Sequence, residues 1–293
     1  MEHTRTVLNP GAGHDRPPVA TGQVVVTRIG HATVLLDFGG CRILTDPWFS
    51  ERWGYYHGEP YGLTLAELPH LDGVLVSHDH YDHFDLASFR QYPDKGVPMI
   101  LKRGLAAKAR AAGFHNVREL DAWEATTLGP LTITGAPAKH KVPEITFMLE
   151  GLGLTVYFAA DTLLIPELRD VVRRFPRIDL ALVPVNGLQI RPMFNHQVVM
   201  NAKEAAELCA LLRPRVAVPI HYAFTGGPIQ DRLVLKYTGT ADEFARAAAE
   251  HAPRTSVRIL APGEPLVVAA SPVARGSDEG RRTTGSGDAH AHA

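Results

Sequence analysis

The run Ser77-His78-Asp79-His80-Tyr81-Asp82-His83-Phe84-Asp85 places three imidazoles and three carboxylates directly after the apolar run Gly73-Val74-Leu75-Val76. Imidazole nitrogen suits zinc, iron and other first-row metals, and a carboxylate oxygen can complete the shell. On a turn leaving a strand, His78 and His80 can point to one side while Asp82 and His83 reach another centre. One loop can therefore seed two metal positions. Spacing and strand context separate this stretch from a solvated polar turn that happens to be rich in His and Asp.

Three later residues share its position type. His140, Asp161 and His221 each come just after an apolar strand, and residues at the ends of neighbouring strands converge on one edge of a sheet. Singly, each reads more simply as a hydrogen-bonded structural residue. Jointly they complete two sets: His78, His80 and His140 for one metal, and Asp82, His83 and His221 for another. Asp161 has the right type to bridge them. The expected cofactor is two divalent metal ions, zinc foremost, with Mn, Fe or Ni admitted by the same donors. Two ions about 3.5–4 Å apart can share a hydroxide and clamp both ends of a displacement.

The elements that must position these residues alternate along the chain. Strands are predicted over 24–27 and 34–38, with a Gly39-Gly40 turn into 41–45. Pro47 ends that strand, and 48–70 reads as a long irregular loop of the kind that is usually functional. A short helix over 85–91, a strand over 99–101 and a helix over 104–112 follow, the last stopped by Gly113. Strands are expected over 131–134, 145–150 and 154–159, then a helix over 166–175 with Pro166 in its first turn. A buried strand at 179–184 precedes a helix over 201–212, signalled by Asn201 and Glu204 as a capping box. A strand at 216–219, a Thr240-capped helix over 240–252 and last strands at 256–260 and 266–268 complete the pattern. Strand blocks alternate with helices in two halves without a composition break, so a single α/β domain over 23–270 fits best. Residues 1–22 read as a flexible arm and 271–293 as a disordered tail, both poor in apolar periodicity.

Composition narrows the classes. The 293 residues are 45% hydrophobic and 21% charged, ordinary for a soluble globular protein with a substantial core. A formal net charge of −1 supplies no bulk field for nucleic acid, which argues against that partner. Cys41 and Cys209 offer neither a disulfide framework nor metal spacing. With no signal-peptide pattern and no apolar run of about 18 residues, the expectation is a cytoplasmic protein without a transmembrane segment. A homo-oligomer is left open.

The pattern His-x-His-x-Asp-His, followed by separated His, Asp and His, resembles the metal signature of the metallo-β-lactamase superfamily. The resemblance runs from about Val24 to Val268. The words Ile29-Gly30-His31-Ala32-Thr33, Leu44-Thr45-Asp46-Pro47 and Pro219-Ile220-His221-Tyr222 resemble the branch containing ascorbate-6-phosphate lactonase and N-acyl-phosphatidylethanolamine phospholipase D. The resemblance implies a four-layer αββα sandwich (α/β, with an α+β layering) carrying a dinuclear site at one edge. It also implies that Asp46 supports the metal loop by hydrogen bonding rather than as a ligand. Two departures bear on the pocket. Asp161-Thr162 runs into Leu163-Leu164, where the branch often has Thr-Gly and an aromatic. The helix start Asn201-Ala202-Lys203-Glu204-Ala205 has its nearest histidine at His196, a few residues early.

The function so implied is a metal-dependent hydrolase using a dinuclear-site hydroxide on a small ester, lactone or phosphorylated substrate. The alternative is a phosphodiesterase or phospholipase D-like enzyme acting on a lipid-like substrate. A di-iron redox protein and a non-catalytic metal-binding scaffold are the readings from other classes. Asp82 is expected to orient the attacking water as well as bind metal. His31 is a candidate for substrate contact against a loop-fixing hydrogen bond, and His196 for the same role against a solvated loop. Trp48, Phe49, Trp53, Tyr55 and Tyr56 are candidates to line an apolar pocket.

Overall fold

The structure, a computed structural model, describes residues 22–270; the arm and tail expected at 1–22 and 271–293 lie outside them, Gly22 apart. Two seven-stranded mixed sheets face each other. The first runs in the spatial order Pro265–Ala269, Gln23–Gly30, Thr33–Phe38, Cys41–Thr45, Gly73–Val76, Met99–Lys102, Val117–Leu120. The second runs Ser256–Val257, Val216–Ile220, Leu180–Pro184, Leu154–Phe158, Ile145–Gly151, Leu131–Pro137, Ala125–Leu128. Each joins an antiparallel meander to a parallel half.

Side-chain alternation assigns the layers. Leu75 points between the sheets with Val26, Leu36, Phe147, Leu149, Phe158 and Leu182. Its neighbours Val74 and Val76 point outward onto the helices Leu86–Phe89 and Ala106–Ala111 through Phe89, Ala109 and Phe114. On the other side, Met148, Tyr157 and Ala181 meet the helices Ala202–Leu212 and Ala241–His251 through Ala205, Leu208, Cys209 and Phe244. Strands buried on both faces read as near-continuous apolar runs, which is why they stood out in the sequence. The result is the expected αββα sandwich.

The helix starts follow local chemistry. The Asn201 side chain accepts from Lys203 N and Glu204 N at 3.0 Å each, and Glu204 returns a bond to Asn201 N at 2.9 Å, the anticipated capping box. Thr240 Oγ1 accepts from Glu243 N at 3.2 Å. Cys209 is buried in the helix face, as its apolar surroundings implied.

Differences lie at the margins. The edge strands Val117–Leu120 and Ala125–Leu128 were not anticipated, because the first carries two charges and each has only one buried residue. The strand expected at 256–260 stops at Val257. The helix Pro228–Leu233 and two small sheets, Gln189–Ile190 with its neighbours and Phe224–Thr225 against Tyr56–His57, lie in stretches with no periodicity.

Direction decides where the chemistry sits. Strands 23–30, 41–45 and 73–76 run one way in the first sheet, and strands 131–137, 154–158 and 216–220 share a direction in the second. The residues that follow them, His31, Asp46, the 77–85 turn, His140, Asp161 and His221, therefore gather at one end of the sandwich.

Phe147 is fully buried between the sheets. Phe147→Ala is expected to lower unfolding free energy by about 3–5 kcal/mol, read from the midpoint of urea unfolding; a loss below about 1 kcal/mol would mean this layer is not packed as described.

Candidate metal centre

Asp46 is fully buried at the end of Cys41–Thr45. Its Oδ1 accepts from Ser77 N at 2.8 Å, and its Oδ2 from Ser77 Oγ at 2.6 Å and His83 Nδ1 at 2.7 Å. The carboxylate is thus occupied by the start and the middle of the histidine turn, the support that the sequence resemblance implied.

These bonds fix the tautomers. Ser77 gives its proton to Asp46, so the contact from His78 Nδ1 to Ser77 Oγ at 2.8 Å must be a donation by the ring. Glu144 Oε1, 3.4 Å from the same nitrogen, agrees. His140 Nδ1 donates to Val198 O at 2.7 Å. In His78 and His140 the proton therefore sits on Nδ1 and the Nε2 lone pair faces inward, and His83, which donates through Nδ1, likewise turns its Nε2 inward.

Three ring nitrogens then converge. His78 Nε2 and His140 Nε2 lie 3.0 and 3.1 Å from His80 Nδ1. His80 Nδ1 carries at most one proton, so at most one of the two contacts is a hydrogen bond. The other sets lone pair against lone pair. A cation bound at about 2.0–2.1 Å from each nitrogen resolves that conflict and suits these separations. The donor set therefore fits a metal ion.

Asp161 Oδ2 adjoins this set at 3.9 Å from both His78 Nε2 and His140 Nε2. The same oxygen is 2.8 Å from His221 Nε2 and 3.2 Å from His83 Nε2. Asp82 Oδ2 closes the second group, 3.8 Å from His83 Nε2 and 3.2 Å from His31 Nε2. Ligand-type atoms of His78, His80, His140 and Asp161 lie within 4.8 Å of one another, and so do those of His31, Asp82, His83 and His221. Buried Asp161 Oδ1, His83 Nε2 and both nitrogens of His31 and His221 lack a hydrogen bond. Orphaned polar atoms are rare in native interiors, and these belong to residues of the two groups.

Burial governs the charge states. It pushes His31 down to about 3, with His221 adding to the effect, and His80 down to about 4, helped by His78. His78 is held well below the imidazole range by burial and by His83. Neutral rings are the form that binds metal. At His83 burial also pushes downward, but Asp161 and Asp82 outweigh it and hold the ring high. Burial would raise Asp82 and Asp161, yet the neighbouring histidines keep both carboxyls well below their usual range.

All seven residues expected as ligands are brought together, and His31, the candidate for substrate contact, stands with the second group. Its φ is 51°, that of His221 is 55°, and His221 N donates to His31 O at 3.1 Å. Two left-handed corners thus press one imidazole against the other, with ring centroids 4.0 Å apart. His196 is exposed on the short strand His196–Gln197, opposite Ile190, two residues before Val198. Of the loop aromatics, Trp48 is fully buried and stacks on His57 at 3.5 Å, while Trp53 points into solvent. Tyr55 stands 5.5 Å from Tyr81 and 5.7 Å from Phe224, and Phe224 is 5.7 Å from His31. Arg52 lies over Tyr81 and Tyr55 at 3.9 and 4.7 Å.

Three supporting residues escaped the sequence reading. Glu144 Oε1 accepts from Asp161 N at 2.7 Å, and burial lifts its carboxyl to about 8; an acid directly ahead of a buried strand was the only signal. Asp85 Oδ2 accepts from Phe49 N at 3.1 Å and Ser50 N at 2.9 Å, holding the long loop to the metal turn. Arg28, fully buried, pairs bidentately with Glu59, donates to Leu260 O at 3.0 Å and lies over the Tyr222 ring.

Residues 41–222 match the family model described as a beta-lactamase superfamily domain. A UPF0173 metal-dependent hydrolase of Deinococcus radiodurans is 30% identical over 82% of this chain and 97% of its own. N-acyl-phosphatidylethanolamine-hydrolyzing phospholipase D 1 of Caenorhabditis elegans is 29% identical over 67% of this chain and 63% of its own. The structure of Igni18, a metallo hydrolase from Ignicoccus hospitalis, superposes with a TM-score of 0.66 at 24% identity, covering 84% of this chain and 98% of that one.

Asp46→Ala removes the acceptor that orients His83 and Ser77. Metal affinity is expected to fall about 10–100-fold, measured by competition with a chromophoric chelator; an unchanged affinity would show that the clamp does not orient the ligands.

Proposed function

The chain belongs to the metallo-β-lactamase superfamily of metal-dependent hydrolases, and we propose that it is a two-metal enzyme acting on a small ester, lactone or phosphorylated substrate. One observation carries this reading: Asp161 Oδ2 lies within 3.9 Å of four inward-facing imidazole nitrogens drawn from both histidine groups. A shared carboxylate between two donor sets is what a dinuclear centre requires.

His78, His80 and His140 would hold one ion, Asp82, His83 and His221 the other, with Asp161 common to both. Two bound divalent ions, zinc foremost, supply a water that ionises near neutral pH and positive charge for the developing oxyanion. Asp82 stays ionised beside His83 and His31, so it can take a hydrogen bond from the attacking water and orient it. His31, neutral, places Nε2 3.2 Å from Asp82 Oδ2 and its ring 5.7 Å from that of Phe224, where it could meet substrate. Tyr55, Tyr81 and Phe224 present ring faces beside the second group, and the Arg52 guanidinium above the tyrosines favours an anionic substituent. His196, exposed on its short strand, is given no role in this reading.

A phosphodiester or lipid-headgroup substrate is the second reading. It is favoured by the relative named as a phospholipase D, and the same centre would serve it.

Anaerobic purification with elemental analysis is expected to yield about two metal ions per chain. Turnover on a panel of lactones, phosphodiesters and N-acyl phospholipids should fall by about 10²–10³-fold or more in His80→Ala and in Asp161→Ala, as when a preorganised stabilising group is lost. Less than one metal per chain, or turnover unaltered in both variants, would sink the proposal.

A further inference from the structure

Large apolar side chains left in solvent concentrate in one part of the surface. Phe194 is 99% exposed, Trp53 74%, Ile229 66% and Leu233 62%. Scattered apolar residues need no explanation, whereas a joined group does. These are joined. Arg191 N donates to Val234 O at 2.7 Å and Arg191 Nε to Leu235 O at 2.8 Å, which sets the Phe194 loop beside Leu233. Gly54 packs so closely on the Gln230 side chain that a methyl there would collide, which sets Trp53 beside Ile229. Ile229 and Leu233 are four apart on the helix Pro228–Leu233 and share a face. Phe194 and Asn195 have φ of 55° and 57°, a conformation costly for a bulky side chain, so the loop holds the ring outward against its backbone preference.

The same segments are cationic. Arg52, Arg191 and Arg232 are exposed, and Lys236 is half-buried. Of the acids there, Asp231 is turned inward, accepting from Gly226 N at 2.8 Å, Tyr237 OH at 2.9 Å and Thr225 Oγ1. Glu51 accepts from His57 N at 2.8 Å. A second copy packed through this patch would set the cations against themselves. An anionic bilayer surface satisfies both the rings and the charges.

We propose that this cap docks on an anionic lipid surface. Phe194, Trp53 and Leu233 seat at the boundary of headgroups and acyl chains, and Arg232 and Lys236 lie against lipid phosphates. Phe224, whose strand pairs with Tyr56–His57 at the base of the cap, is 5.7 Å from His31, so docking turns the candidate metal centre toward the lipid. No metal is needed for the contact, which keeps its test separate from that of the hydrolase reading.

The test is flotation of the full chain with phosphatidylcholine vesicles, with and without about one-third phosphatidylglycerol. The chain is expected to float with the anionic vesicles and to be released as salt rises. Substituting Phe194→Ser, Trp53→Ser and Leu233→Ser together should weaken partitioning about tenfold or more. Arg232→Glu with Lys236→Glu should abolish the preference for anionic lipid, and His80→Ala should float like the parent. Circular dichroism confirms that each variant is folded. Absence of flotation, or equal flotation of the triple variant, overturns the proposal. So does a dimer that the triple substitution dissolves, which would assign the patch to a second copy of the chain.

Discussion

The Asp46 carboxylate is buried without solvent, and a charge in that position is tolerable only when donors surround it. Ser77 contributes its N–H and its hydroxyl, and His83 contributes Nδ1–H. Everything at the centre inherits its orientation from this arrangement. Because Ser77 Oγ has given its proton away, it can only accept from His78, and the Nε2 atoms of His78 and His83 are turned to the same interior. The turn is therefore organised before any ligand arrives. Orientation that precedes binding lowers the cost of binding.

The two sheets supply the remaining constraint. Parallel and like-directed strands end together, so residues far apart in the chain meet without long excursions. Asp161 meets the turn because Leu154–Phe158 and Gly73–Val76 finish at the same end of the sandwich. Glu144 then ties the two sides, accepting from Asp161 N while lying 3.4 Å from His78 Nδ1. The fold does not merely carry the histidines; its strand directions bring their ring nitrogens to hydrogen-bond distance of one another.

Legibility in the sequence followed burial and spacing. Strands covered on both faces announced themselves as apolar runs, and the ligand types stood directly after them. The capping box at Asn201 and the cap at Thr240 were likewise local, so their signals were complete within four residues. Val117–Leu120, at a sheet edge and half exposed, has no such signature, since its pairing depends on a neighbour and not on its own pattern. Glu144 was opaque for a related reason. Its importance comes from what the other sheet places beside it, and no window of sequence contains both partners. Trp48 was readable as an aromatic in a loop, but only its contacts show that it belongs to the core. For His196, spacing along the chain said nothing of the short strand that exposes it.

The long loop between Asp46 and Leu71 has one further consequence. It is fastened at a few separate points: Asp85 takes Phe49 N and Ser50 N, Arg28 grips Glu59, and Gly62 N donates to Ile29 O at 2.7 Å. None of these fasteners belongs to the seven expected ligands. Away from these points, from buried Trp48 and from the Tyr56–His57 pairing, the chain has room to change in length and composition. The loop is in effect a cassette, clipped to a constant reactive edge, and a lineage could exchange one substrate wall for another while leaving the ligands untouched. Divergence of specificity would then be recorded in residues 48–70, and the histidine turn would stay silent about it.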